Sequence, residues 1–406
     1  MEPPVPAKKE GVVADVEHTV GMLLGAEEDW PRAYEALLRR LGLVTGADGR
    51  THRTLPVRMT VEPFNLRDRA RHGLVIDRLS HWYYLKKLAL MDDVHLLNSP
   101  FTLESMEKHA ACCVLMRLGL RIPETVLVPG KPRDRSFDLD AAAAAIGYPL
   151  WVKPYDGGSW SGVSKVRTPA ELHAAHAASG ERLMHLQASV EDYDVVARAL
   201  TIGPETMVMR FRPEQPEHAR YQVEHDFLSA AAGEEVVTVS RLVNAFFRWE
   251  FNSCESLVRG DDVFPIDHAN ACPDVSLTSL HYYFPWAMTA LLRWTVFCLV
   301  TGRRGRLDMD PSAYFAIADD PDRSYAEKLR DYRRLADGYF EIEKYREFCA
   351  KELKNADAIV YDWVCSEEFR SLLRETVRAR YPVHEHEKFL AHFGGLIDAW
   401  VSDQSR

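Results

Sequence analysis

Lys153, Asp156, Gly157, Gly158, Ser159, Ser161 and Gly162 crowd into one short stretch between an apolar run (Leu150, Trp151, Val152) and a second run marked by Val163 and Val166. Adjacent glycines carry no Cβ, so successive backbone N–H groups can close on anionic oxygens. Ser159 and Ser161 add hydroxyl donors, and Lys153 supplies a point charge. That is chemistry for covering phosphates, and a nucleoside triphosphate is the natural guest. Two other phosphate loops are excluded. Gly157 and Gly162 have the spacing of the outer glycines of a Walker A loop, but Val163 stands before Ser164 where Lys is required. No Gly-x-Gly-x-x-Gly follows a strand either.

A second group of chemically able residues lies between Phe251 and Asp274. Two strand-like runs flank Arg259-Gly260-Asp261-Asp262, and Glu255 and Asp267 are equidistant from Asp261. A hairpin centred there sets the two carboxylates opposite each other on one face, with Cβ atoms roughly 4.5–5.5 Å apart. Facing carboxylates repel unless a cation sits between them or one holds a proton, and Asn270 offers a neutral oxygen nearby. Hard oxygen ligands without His or Cys point to Mg²⁺. Taken alone, the stretch reads equally well as an exposed hairpin with scattered acids. The phosphate loop upstream favours the metal, because Mg²⁺ sites commonly share ligands with substrate phosphates.

Lys153-Pro154-x-x-Gly157-Gly158-Ser159-x-x-Gly162-Val163-Ser164-Lys165-Val166 resembles the glycine loop of the ATP-grasp ligases, whose familiar members are D-alanine:D-alanine ligase and the RimK-like amino-acid ligases. The resemblance spans about Asn98 to Asp274. It implies an α/β (α+β) ATP-grasp fold, in which two lobes clasp ATP. Glu255, Asp267 and Asn270 would then hold Mg²⁺ or Mn²⁺ against the triphosphate. The usual Glu-x-Asn is here Asp267-His268-Ala269-Asn270, with a shorter acid and one extra residue. Asn98-Ser99-Pro100 with Lys108 is similar to the segment whose lysine contacts the α-phosphate, and Lys153 would be the second phosphate lysine. Gln187-Ala188-Ser189-Val190 matches the hinge that reads adenine through its backbone. Asp194 resembles the ribose contact. Arg198 and Arg210 look like the arginines that face the transferred phosphate.

The elements that must position these groups are an alternating series. Thr19–Leu24 and Pro31–Leu41 read as strand then helix, followed by strands at Val57–Val61 and Leu74–Ile76, a helix at Trp82–Leu90 and an apolar piece at Val94–Leu97. This pattern predicts a small α/β domain with a parallel sheet. A helix is expected over Leu103–Leu118, capped by Thr102, then an extended Ile122–Val128 and an Ala-rich helix ending at Gly147. Thr168-Pro169-Ala170-Glu171 is a capping box. Val195–Ile202 and Thr206–Phe211 form an antiparallel pair about Gly203-Pro204, and a helix runs over Glu234–Trp249. The expected division is 1–97, an opening α/β domain; 98–186, a lid and central unit; 187–304, the lobe with the metal site; and 305–406, a helical extension.

Composition sets outer bounds. The chain has 406 residues, 27% charged and 47% hydrophobic, with a formal charge of −10, so no basic stripe is offered to nucleic acid. Its seven cysteines contain no C-x-x-C, and the N-terminal MEPPVPAKKEG has no apolar core of a signal peptide, so a reducing cytoplasm is expected. Phe284–Gly302 is apolar enough for a membrane span, but Arg293 at its middle makes a buried helix with a paired arginine the better reading. His384-Glu385-His386 lacks metal spacing and reads as a solvated helix start.

The activity implied is ATP-driven joining of a small carboxylate to an amine, amino-acid or peptide-like, through an acyl-phosphate. A carboxylate kinase without ligation and a nucleotide-binding module that has lost catalysis are the alternatives. The helical tail has two open roles, a cover over the cleft or an interface in a homo-oligomer.

Overall fold

A computed structural model describes residues 14–79, 82–102, 108–130, 137–156, 161–271 and 273–405, with the backbone alone at Trp82. The opening domain contains β1 (Val16–Leu23), α1 (Asp29–Leu41), β2 (Leu43–Thr45), β3 (Thr51–Met59), β4 (Leu74–Asp77), α2 (Trp82–Met91) and β5 (His95–Leu96). Its sheet has the order β2-β3-β1-β4-β5, with β1 parallel to both β3 and β4, and β4 parallel to β5. The parallel core is the one expected, with β2 added antiparallel to β3 at its edge. β3 begins earlier than the Val57 start read from the sequence and ends at Met59; Thr51–Pro56 is mostly polar and gives no apolar run to mark it.

The second unit comprises α3 (His109–Arg117), β6 (Thr125–Val128), α4 (Leu139–Ala144), β7 (Leu150–Pro154), β8 (Ser164–Val166), α5 (Pro169–Ala178) and β9 (Met184–Ala188). Its sheet is antiparallel, ordered β6-β9-β7-β8. Two helix starts depart from expectation. Thr102 does not cap α3; its hydroxyl donates to the Phe247 carbonyl, and Lys108 occupies the position before the helix. Thr168 does cap α5, accepting from the Glu171 amide at 3.2 Å. The Glu171 carboxylate, however, accepts from the Arg167 amide and not from Thr168, so the box is only half closed.

The third unit follows as β10 (Val195–Ile202), β11 (Glu205–Phe211), β12 (Tyr221–Gln222), α6 (Ala230–Phe247), β13 (Phe251–Arg259) and β14 (Asp262–Asp267), forming an antiparallel sheet of order β12-β11-β10-β13-β14. One face packs on α6 through Val195, Ala197, Ala199, Val236 and Val263; the other buries Val196, Leu200, Ile202 and Phe251 in the core shared with α8 and carries Arg198 and Glu255 among them. Gly203, in the β10–β11 turn, has φ +55°, and a Cβ there would stand 2.3 Å from the Trp294 ring. Gly203→Ala combines a left-handed backbone with a clash against a fully buried ring. We expect it to cost about 2–4 kcal/mol, read as a drop in the urea midpoint at unchanged slope.

The rest is helical: α7 (Leu277–Leu280), α8 (Phe284–Thr301), α9 (Ser312–Ala318), α10 (Tyr325–Tyr339), α11 (Ile342–Glu352), α12 (Ala356–Val364), α13 (Glu367–Arg380) and α14 (His386–Gln404). α8 is long and apolar enough to cross a membrane, yet most of it is buried inside the protein, and Arg293 pairs with Asp357 at 2.6 Å. Trp30, Tyr34 and Leu37 of α1, Trp294 and Phe297 of α8, and Trp363, Phe369 and Phe393 of the C-terminal helices share one core. The extension is therefore packed into the opening domain.

Candidate active site

The hairpin of β13 and β14 pairs Glu255 with Asp267. The route to that pairing differs from the one the sequence suggests. Arg259 pairs with Asp262 across a two-residue turn, a register that would set Glu255 opposite Ile266. A β-bulge between Glu255 and Ser256 shifts the strand so that Glu255 meets Asp267. Bulges re-aim side chains in this way beside functional sites.

The repulsion expected of two facing acids is met by cations. Asp267 Oδ2 accepts from Lys108 Nζ at 2.6 Å, and Glu255 Oε1 from Arg198 Nη1 at 2.9 Å. Burial alone would raise both carboxyls. Lys108 overcomes it at Asp267, which is held below the usual carboxylate range, whereas at Glu255 burial, with repulsion from Asp267 added, outweighs Arg198 and keeps the carboxyl raised. Asp267 Oδ1 is buried and has no hydrogen-bond partner among the described residues. A buried acceptor left open is costly unless something binds it.

Asn270 reaches the same place. Asn252 accepts from the Asn270 amide at 2.8 Å and donates to the His268 carbonyl at 2.9 Å, which gathers up the extra residue of the Asp267-x-x-Asn270 spacing. Asn270 Nδ2 then donates to Ser253 Oγ at 3.0 Å, and Arg198 Nη2 donates to the same oxygen at 3.1 Å. Two carboxylates, one with an open oxygen, and a neighbouring amide make an all-oxygen donor set suited to Mg²⁺. Asn98 stitches the base of this site: it donates to the Phe251 and Ala271 carbonyls and accepts from the Glu250 and Phe251 amides.

The two lysines come from the neighbouring unit. Lys108 precedes α3 with its amide on the Tyr155 carbonyl, and Lys153, on β7, donates to Gln187 Oε1 at 2.7 Å. Burial, with Lys108 nearby, pulls Lys153 down to about 8 although Asp267 opposes the shift. A cation this short of counter-charge suits a site that receives an anion.

Other expected positions are distributed as follows. Gly157, Gly158 and Ser159 lie outside the described residues. Gln187 sits mid-sheet with its backbone paired, and the amides of Ala188 and Ser189 donate to Glu124 and Pro149. The amide of Val190 has no partner among the described residues. Asp194 does not face this cleft as a free contact: its carboxylate accepts from the Gly260 amide at 2.7 Å and closes the hairpin turn.

Arg210 is the clearest correction. Arg198 pairs with Met209, while Arg210 pairs with Ala197, so the two arginines point to opposite faces of the sheet. Arg210 is tied to Glu224 and Arg198 alone joins the carboxylates. Arg198→Ala should lower ATP turnover by about 10²–10³, whereas Arg210→Ala should change it less than about fivefold; steady-state ADP release measures both. Ser253 was missed by the sequence reading, though its place two residues before Glu255 puts it on the same strand face. Nothing local signals the bond from Gln187 to Lys153.

No protein-family model matches the chain. Sequence relatives are D-alanine–D-alanine ligases: that of Streptomyces coelicolor is 28% identical over 200 residues, covering 43% of this chain and 50% of that protein. That of Chromohalobacter salexigens is 36% identical over 109 residues, or 27% and 30% of the two chains. The chain thus matches about half the length, or less, of these relatives. Solved structures similar to it include a RimK domain ATP-grasp protein from Sphaerobacter thermophilus (TM-score 0.47, 17% identity, 68% of this chain and 97% of that one). Another is a D-alanine–D-alanine ligase from Bacillus anthracis complexed with ATP (TM-score 0.45, 12% identity, 81% and 99%). The chain resembles the ATP-grasp ligases.

Proposed function

We propose that the protein is an ATP-dependent carboxylate–amine ligase that works through an acyl-phosphate and releases ADP and phosphate. The observation that carries this reading is the pair Glu255 and Asp267. They face each other on one strand face, with Asp267 Oδ1 open and Lys108, Lys153 and Arg198 around them. The sequence relatives support the ligase class.

Glu255, Asp267 and Asn270 would hold Mg²⁺, which when bound supplies charge neutralisation of the triphosphate. Lys108 and Lys153 hold phosphate oxygens, and Arg198 faces the group in transfer. The substrate carboxylate attacks the γ-phosphorus, the bond to the ADP oxygen breaks, and an amine nitrogen then displaces phosphate from the acyl carbon. Such transfer is catalysed mainly by alignment and neutralisation of charge, which these side chains provide. The loop around Gly157 would exclude water that hydrolyses the acyl-phosphate.

The reading is tested by following phosphate release from ATP with sets of amino acids and dipeptides, alone and in pairs. Ligation predicts release that rises at least tenfold only when a carboxylate and an amine are both present, with an amide product by mass spectrometry. Release indifferent to every amine contradicts ligation.

A further inference from the structure

Far from this site, Glu205, Arg241, Arg293, Tyr345, Arg346 and Lys354 border a cleft of about 510 Å³ where the β10–β11 turn meets α6, α8, α11 and the start of α12. We propose that this cleft is a second binding site, for a small polyanion carrying phosphoryl or clustered carboxylate groups.

The charge balance is the first reason. Four cations, Arg241, Arg293, Arg346 and Lys354, line the cleft against two acids, Glu205 and Asp357, in a chain whose formal charge is −10. The acids are already engaged. Glu205 accepts from the Tyr345 hydroxyl and lies 3.7 Å from Arg293, and Asp357 pairs with Arg293 at 2.6 Å. Arg241 has a 3.6 Å contact with Asp337, a third acid that is not among the lining residues, and a 3.4 Å bond to the Thr206 hydroxyl. Arg346 and Lys354, exposed at the rim, have no partner among the described residues.

The depth of the arginines is the second. The side chains of Arg241 and Arg293 are only 14% and 20% exposed, and Arg293 Nε is buried without an acceptor. Arg293 has Glu205 and Asp357 beside it and Arg241 has Asp337 at 3.6 Å, so the charge left over for a bound anion is that of Arg346 and Lys354, with the open Arg293 Nε below them. Burial, and the neighbouring Arg333 and Arg346, hold Arg241 below its ordinary range in spite of Asp337.

Shape is the third. The volume falls within the range of small-molecule sites, and Pro204, Ile342 and Leu353 give it apolar walls. Two deep arginines and two exposed cations at the rim, Arg346 and Lys354, suit oxyanions, which guanidinium groups grip in pairs. The site is separate from the carboxylates: Arg198 lies six residues before Pro204, roughly 20 Å along β10 and its turn. The inference does not rest on the proposed ligase activity.

Isothermal titration of the full chain with inorganic pyrophosphate and with citrate, without Mg²⁺, tests it in three proteins: wild type, Lys153→Ala and Arg346→Ala/Lys354→Ala. The rim side chains are exposed, so the double variant should fold, and an unchanged thermal midpoint checks this. Binding at the cleft predicts an affinity kept within twofold in Lys153→Ala and reduced at least tenfold in the double variant, with ATP affinity unaltered there. Preference for pyrophosphate assigns a phosphoryl ligand and preference for citrate a carboxylate one. Binding of neither anion, equal binding by the double variant, or loss of all binding in Lys153→Ala overturns the proposal.

Discussion

Asp267→Asn is expected to lower ATP turnover by about 10²–10³ or more and to raise the Mg²⁺ needed for half-maximal rate by at least about tenfold. The substitution keeps the shape and leaves an oxygen within reach of Lys108, now 2.6 Å from Asp267 Oδ2. It removes one of the two charges that face each other across β13 and β14. Since Lys108 and Arg198 already pair with the two acids, the fold should survive the change, and the thermal midpoint should move by only a few degrees. The measurement is ADP release against Mg²⁺ concentration for wild type and variant. Full turnover at the same Mg²⁺ requirement would mean that Asp267 is not a metal ligand.

The second large effect is structural. Glu250 is 1% exposed and accepts from His95 Nε2 at 2.8 Å, Trp294 Nε1 at 2.9 Å, Arg303 Nη1 at 2.6 Å and the Tyr339 hydroxyl at 3.0 Å. These partners come from the opening sheet, α8, the segment after it and α10, so one carboxylate joins the opening domain to the helical extension just before β13 begins. His95, Glu250 and Cys298 offer three ligand atoms within 4.8 Å of one another, but Arg303 already supplies the cation there. Burial would raise Glu250, yet Arg303 and His95 outweigh it and hold it down at about 2. A carboxyl depressed in the folded state contributes stability that is present above its unfolded value, about 4.3, and is lost as the pH falls towards 2. Glu250→Gln leaves buried Arg303 with Glu341, 3.4 Å away and partly exposed, as its remaining acid among the described residues, and should cost about 3–5 kcal/mol at neutral pH. The deficit should shrink as the pH falls from about 5 towards 2. Urea unfolding at several pH values reads it out, and a deficit constant with pH would contradict the pairing.

Much of the local structure was legible because it depends on short-range pattern. The alternation from β1 to β5, the α8 helix with its paired Arg293, and the antiparallel β10 and β11 follow from apolar periodicity and turn residues. The facing of Glu255 and Asp267 was also legible, but through a cancellation: the turn is centred half a residue away from Asp261, and the bulge restores the pair. Arg210 shows where such reasoning fails. A strand face is fixed by pairing parity, and Arg198 with Arg210 is one residue out of phase. The bond from the Gly260 amide to Asp194 was not legible either, since it is a tertiary contact across 66 residues. Glu250 gave no signal, because its four partners are brought in from distant parts of the chain.

Glu255 and Asp267, supported by Asn270, are proposed to bind the divalent metal that accompanies the nucleotide. Electron paramagnetic resonance of Mn²⁺, titrated into the protein with and without ADP, tests this most directly. The account predicts that ADP tightens Mn²⁺ binding to the wild type at least tenfold, and that Glu255→Gln and Asp267→Asn each weaken the ternary complex by about tenfold or more. Mn²⁺ affinity in the presence of ADP that is the same in all three proteins would contradict it.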